Sequence, residues 1–338
     1  MSEVRDTTAY DLHGALTLRT NTRIVPEIPE YLRAETADPD LDLIRLDEME
    51  VPKPDAIRSM IGQRSVCDLG GGEVFYQLPL PLLAYLGVSG NWAFRVRGLA
   101  ETKTAIETAL PYVRLKPVES RVTELLSKVV YLVLNLKLWR RGYALCHASS
   151  VARGESAFLF FGYIGSGKTT ASLGLMDSVC DGYLSDDVTL VHRDGRVFCW
   201  PEYHPAHGEG ISVPGLRYLR KRQHSMVVPE FPIRHTANAR YLFFLESGGN
   251  RVREIDLDEA ARRVLLINAD ELSRHWNSPG SQIVNQYAYF YPGLDLGQAF
   301  REFAGIVDSM VRRTERAFVV QSNSPKYETL RELATGLG

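Results

Sequence analysis

The chain has 338 residues, 45% hydrophobic and 24% charged, an ordinary globular composition with enough apolar material for one large or two modest domains. Lys and Arg number 39 against 41 Asp and Glu, a net charge of -2, so no basic field recommends nucleic acid or an anionic membrane as a partner. Cys67, Cys146, Cys180 and Cys199 form no C-x-x-C pair, which excludes a disulfide framework and a zinc signature and fits a reducing compartment.

The first residues carry no apolar segment behind a basic start, and no run approaches the roughly 18 apolar residues of a membrane span. The expectation is a cytoplasmic protein whose partner is a small molecule or another protein. Oligomerisation is left open.

In chain order, 10–18, 74–78 and 92–96 read as short strands among Pro and Gly breaks. Residues 1–115 are therefore expected to form an N-terminal α+β domain, assigned to substrate recognition. The acidic, Pro-containing stretch 35–55 reads as a surface excursion, and Gly70-Gly71-Gly72 as the turn before a strand at Val74. From Pro117 to Trp139, Leu125, Leu126, Val129, Val130, Val133 and Leu136 recur at i, i+3, i+4 and predict an amphipathic helix, ended by Arg140-Arg141-Gly142.

Residues 143–151 and 157–161 then predict a β-hairpin running into a glycine-rich loop, with a helix over 169–179. Stretches 183–190 and 196–200 flank Arg193-Asp194-Gly195, a D-G hairpin turn, so the sheet is expected to be mixed with antiparallel pairs. Stretches 239–245 and 316–320 read as strands, and 258–266, 296–307 and 324–335 as helices. Residues 116–338 thus form a second domain around the glycine loop.

That loop is Gly162-Tyr163-Ile164-Gly165-Ser166-Gly167-Lys168-Thr169, a complete G-x-x-x-x-G-K-[ST] between an apolar strand and a helix. Such a turn points backbone N–H groups and the positive end of a helix dipole into one concavity, which suits phosphate oxygens. Gly162, Gly165, Ser166, Gly167, Lys168, Thr169 and Thr170 are the expected nucleotide-binding set, with Lys168 reaching the β and γ phosphates and the Thr169 hydroxyl on Mg²⁺.

Asp186 and Asp187 follow Lys168 by only 18 and 19 positions, at the start of Val188-Thr189-Leu190-Val191. Phosphoryl transfer needs one carboxylate near the metal and one to accept a proton from the attacking hydroxyl. Adjacent residues on a regular strand face opposite ways, so both serve one site only if the strand starts irregularly. His147, on the strand before the loop strand, reaches the loop if the two strands form a hairpin; taken alone, a histidine in an apolar strand reads as a hydrogen-bonded structural residue.

Three elements in this order, Cys146-His147-Ala148-Ser149-Ser150-Val151, the phosphate loop and Leu184-Ser185-Asp186-Asp187, make the stretch from Tyr143 to Val191 resemble the HPr kinase/phosphorylase superfamily. The resemblance implies an α/β fold with a P-loop mixed sheet of the HPr kinase/phosphoenolpyruvate carboxykinase type beside the N-terminal α+β domain. It implies ATP and Mg²⁺, with Lys168 on nucleotide phosphate, Thr169 and one aspartate on the metal, the other aspartate as catalytic base, and His147 lining the transfer site. The assignment adopted is Asp187 with the metal and Asp186 as the base.

The family's HPr-specific Gly-rich signature is missing after the aspartates, where the chain reads Pro201-Glu202-Tyr203-His204-Pro205-Ala206-His207-Gly208-Glu209-Gly210. HPr is therefore not the expected acceptor, and the chain looks closer to HPr kinase-related proteins that phosphorylate a serine-like hydroxyl of a peptide or a small molecule. Glu202, His204, His207 and Glu209 are candidates for substrate contact, with a transition-metal site less favoured because no regular spacing fixes a geometry. Arg234 and Arg240 are candidates for neutralising charge on the γ-phosphate. Two other classes compete: a nucleotide-gated regulatory or scaffold protein without phosphoryl transfer, and a nucleotide-dependent carboxykinase or lyase.

Overall fold

A computed structural model describes residues 7–22, 28–36, 38–62, 65–79, 91–109, 116–176, 178–201, 204–205, 226–227, 231–276, 279–322 and 327–337. Among these the protein is mixed α/β, with six α-helices and two large mixed sheets. No helix among them is long and apolar enough to cross a membrane. The chain divides into two compact units, Met1–Leu145 with Val264–Ser309, and Cys146–Arg263 with Met310–Gly338. The cut falls about thirty residues beyond the expected position at 115, because the helix expected to open the second domain packs within the first unit.

The first unit holds a nine-stranded sheet of β1 (Thr8–Asp11), β2 (Thr17–Thr20), β3 (Arg33–Ala34), β4 (Leu41–Leu46), β5 (Ser59–Ile61), β6 (Val66–Gly70), β7 (Glu73–Pro79), β8 (Asn91–Arg97) and β9 (Thr104–Ala109). Its order is β3-β1-β2-β4-β9-β8-β7-β6-β5, antiparallel except for β2–β4 and β4–β9. Two expectations are corrected here. Stretch 10–18 is two strand ends joined by a tight loop, in which Asp11 accepts from the Gly14 N–H at 2.6 Å. The supposed surface excursion 35–55 contains β4, whose Leu41 and Leu43 are wholly buried; its Leu-Asp-Leu alternation is a half-buried strand that the surrounding acids disguise.

Helix α1 (Lys116–Arg140) packs in this unit, Tyr131 stacking on His275 at 4.0 Å and Trp139 against Phe303 at 5.1 Å. Just past its end, Arg141 forks onto both oxygens of Asp40 at 2.7 and 2.9 Å, while the Thr17 N–H donates to the same carboxylate at 2.8 Å. Hydrogen bonding to Arg141, then to Thr17, holds the Asp40 carboxyl at about 2, below its usual 3.8. A depressed carboxylate contributes stability that is present above pH 3.8 and is lost as pH falls through about 2. Asp40→Asn is expected to cost about 2 kcal/mol at pH 6, at about 1.4 kcal/mol per pH unit, and nearly nothing at pH 2. Urea unfolding of both proteins across that range measures it, and a pH-independent difference rules the linkage out.

The second unit is built on β10 (Tyr143–Arg153), which begins just before it, β11 (Ser156–Phe161), β12 (Gly182–Ser185), β13 (Val188–His192), β14 (Arg196–Phe198), β17 (Thr236–Ser247), β18 (Arg251–Ile255) and β19 (Arg316–Ser322). A separate two-residue pair, β15 (His204–Pro205) with β16 (Met226–Val227), lies between them in the chain. Strand β10 forms the expected hairpin with β11 and also pairs with β12; β13 and β14 form the expected D-G hairpin, with Gly195 at φ 89°. Strands β11, β17 and β19 run parallel, the mixed arrangement expected.

Helices α2 (Lys168–Met176) and α6 (Tyr327–Thr335) cover one face, where Ala171, Leu175, Leu330 and Ala334 meet Val151, Phe158, Phe160, Phe243, Leu245, Phe318 and Val320. The remaining helices are α3 (Leu257–Trp276), α4 (Pro279–Phe290), which was not among the expected helices, and α5 (Leu296–Val311).

Candidate functional site

Parallel strands in such sheets bring ligands to their carboxyl ends. Strand β11, with Ala157–Phe161 wholly buried, delivers the glycine loop there, and the loop hands over to α2 at Lys168. Gly162 allows a close approach that no other residue permits: a Cβ at that position would collide with the Ser166 side chain and stand 3.0 Å from the Leu245 carbonyl oxygen. Gly167 has φ 90°, a conformation open to glycine, so the loop can turn its amides inward before the helix starts. Gly165 and Ser166 complete the loop, and Thr170 lies in the first helical turn beside Thr169.

Lys168, 6% exposed, folds back over its own loop and donates to the Gly162 carbonyl at 2.9 Å. Its Nζ also stands 2.8 Å from His147 Nε2, across the β10–β11 hairpin. An ammonium only donates, so Nε2 accepts and Nδ1 carries the ring proton. That Nδ1 faces Asp187 Oδ1 at 3.3 Å, giving a chain Lys168–His147–Asp187. The hairpin is what brings His147 here: Ala148 pairs with Phe161, so the preceding residue lies beside Gly162.

Asp186 and Asp187 lie immediately before β13, in the break that separates it from β12, so the strand starts irregularly, as two adjacent carboxylates serving one site require. Asp186 is buried and accepts from the Thr169 hydroxyl at 2.8 and 3.0 Å and from the Ser149 hydroxyl. Asp187 has φ 61°, and its side chain is 62% exposed. The carboxylate that shares Thr169 is Asp186, and the one open to an incoming group is Asp187.

The donors gathered at Thr169 and Asp186 are all oxygen, which fits Mg²⁺ with its preference for a few hard ligands, waters and phosphate oxygens. No group of three or more His, Cys, Asp or Glu able to hold a metal occurs among the described residues, which do not include Glu202, His207 and Glu209. Cys146, next to His147, is fully buried, and burial pushes its thiol up to about 12, which removes it as a nucleophile.

The proposed charge-neutralising arginines do not join this group. Arg234 pairs with Glu155 at 3.7 Å and Asp181 at 3.6 Å, at the hairpin turn where β11 begins. Arg240 pairs with Glu315 at 3.3 Å and precedes Tyr241, the partner of Phe158 near the start of β11. The parallel register of β11 and β17 sets Arg240 near the start of β11, on the order of 15 Å from the loop by strand rise, and Arg234, which precedes β17, donates its backbone N–H to the Tyr183 carbonyl near the start of β12, away from the aspartates. His204 is described only as a strand residue paired with Val227, and Glu202, His207 and Glu209 lie outside the described residues.

One site residue had no assigned role from sequence. Ser149, wholly buried, shares a strand face with His147 by simple alternation along β10, and that i, i+2 spacing was the available signal. Compared with protein-family models and with curated proteins, the sequence finds no match.

Proposed function

We propose that the protein is an ATP-dependent phosphotransferase of the HPr kinase-like type, moving the γ-phosphate to a serine-like hydroxyl of a peptide or small molecule. One observation carries the reading: the phosphate loop, Thr169–Asp186 and Lys168–His147–Asp187 converge at the carboxyl end of β11. A nucleotide-binding scaffold has no need of a second, exposed carboxylate oriented by a histidine beside the loop.

In this reading Lys168 leaves its parking contacts for the β and γ phosphates, and the loop amides hold the phosphate oxygens. Thr169 and Asp186 would hold Mg²⁺, which when bound neutralises developing charge on the phosphates. Asp187 takes the acceptor's hydroxyl proton as the new O–P bond forms and the bond from the γ-phosphorus to the bridging oxygen breaks, releasing ADP. His147 keeps Asp187 oriented through Nδ1–H. Such an enzyme would act in the cytoplasm, with residues 1–115 recognising the acceptor.

The test is incubation with γ-labelled ATP and Mg²⁺ against a panel of serine-containing peptides and small hydroxyl compounds. Label is expected on one acceptor class. ATP binding with no labelled product and no ADP formation would favour the gated scaffold instead, and label on purified HPr in preference to the panel overturns the acceptor class.

A further inference from the structure

We propose that Ser149 is the positioning residue that sets the division of labour between the two aspartates; this rests on the phosphotransferase reading. The argument starts from backbone geometry. The Val188 N–H donates to the Asp186 carbonyl at 2.7 Å across Asp187 at φ 61°, which closes a three-residue γ-turn of the rare positive-φ kind. A non-glycine residue persists in that conformation only when its surroundings hold it there. On a regular strand the two carboxylates would face opposite sides of the sheet; this turn lets both serve the α2 side.

Two sets of buried hydroxyls hold the turn. Behind it, Ser185 and Thr189 flank the aspartates and bond to each other at 2.5 Å, Ser150 reaches Ser185 at 2.7 Å, and Thr189 donates to the Ala148 carbonyl at 2.8 Å. Each hydroxyl has one proton, so the chain runs in one direction, from Ser150 to Ser185 to Thr189 to Ala148. In front, Ser149 bridges both aspartates. Its Oγ–H donates to Asp186 Oδ1, and its oxygen stands 3.5 Å from the Asp187 backbone N–H, at the outer limit of a hydrogen bond. One hydroxyl thus aims the Asp186 carboxylate at Thr169 and steadies the left-handed Asp187 that faces His147.

Ser149 touches neither nucleotide nor acceptor in this scheme, so its effect is indirect. The test compares wild type, Ser149→Ala and Ser149→Cys by steady-state kinetics on the labelled acceptor, and by calorimetric titration of ATP with and without Mg²⁺. Ser149→Ala is expected to lower kcat and the Mg²⁺-dependent gain in ATP affinity by about 10- to 100-fold each. Metal-free ATP affinity should stay within about twofold, and the melting temperature within a few degrees, a pattern a general packing role does not produce. Ser149→Cys, close in volume with a weak S–H donor, should fall between and remains informative if the alanine variant does not fold. Wild-type kcat and Mg²⁺ gain in the variants overturn the proposal, as does a loss of metal-free ATP binding in step with them. A wild-type protein that transfers no phosphate overturns the parent reading instead, and this inference with it.

Discussion

Replacing Lys168 with Ala is expected to lower phosphoryl transfer by about 10³-fold or more and to weaken ATP binding, the largest effect of any single change in the site. Lys168 is buried, its ammonium lies between the Gly162 carbonyl and His147 Nε2, and it opens the helix that follows the loop. Arg240 lies near the start of β11, and Arg263, over Phe244 at the carboxyl end of the neighbouring strand, is already paired with Glu246 and Glu259. The alanine variant loses the point charge for the γ-phosphate and also the donor that fixes the His147 tautomer. Kinetics with the labelled acceptor and ATP titration measure the two losses separately. Turnover at the wild-type rate would remove the loop from the mechanism.

The second large effect separates the aspartates. Asp187→Asn is expected to cost about 10²- to 10⁴-fold in turnover, the range of a lost general base, while Mg-ATP binding persists. Asparagine tolerates positive φ, so the γ-turn survives the change and the loss reports chemistry. Asp186→Asn is expected to act on the metal: with only a neutral amide facing Thr169 and Ser149, Mg²⁺ should no longer raise ATP affinity. Calorimetric titration of each variant with and without Mg²⁺ discriminates them. If the two patterns are exchanged, the sequence-based assignment, with Asp187 on the metal, is restored; if both variants are fully active, the pair is no more than a solvated turn.

Much of the scaffold was legible in the sequence because its signals are local. Apolar runs and the D-G turn announced the β10–β11 and β13–β14 hairpins. The i, i+3, i+4 spacing announced α1, and a glycine pattern between strand and helix announced the phosphate loop. Local signals also misled. Acidic neighbours hid β4, and α4 was overlooked although its buried Gly280, Ile283, Val284 and Tyr287 recur at i, i+3, i+4 and i+7 over only two turns.

By itself the sequence determined which groups are present and in what order: a histidine on the hairpin strand, a lysine and threonine closing a glycine loop, and two carboxylates at a strand start. Only the tertiary structure decided how they are arranged. The Thr169–Asp186 pairing and the left-handed turn at Asp187 depend on Ser149, 37 and 38 positions away in the chain, and on hydroxyls of β10 and β13 that sequence spacing cannot bring together. Arg240 was set far from the loop by a parallel register between β11 and β17, segments some eighty residues apart in sequence, and Arg234 by its backbone bond to Tyr183. Local propensity specifies strands and turns. The face and the end of a strand that meet a ligand are set by non-local pairing, where a single step of register moves a side chain to the other side of the sheet.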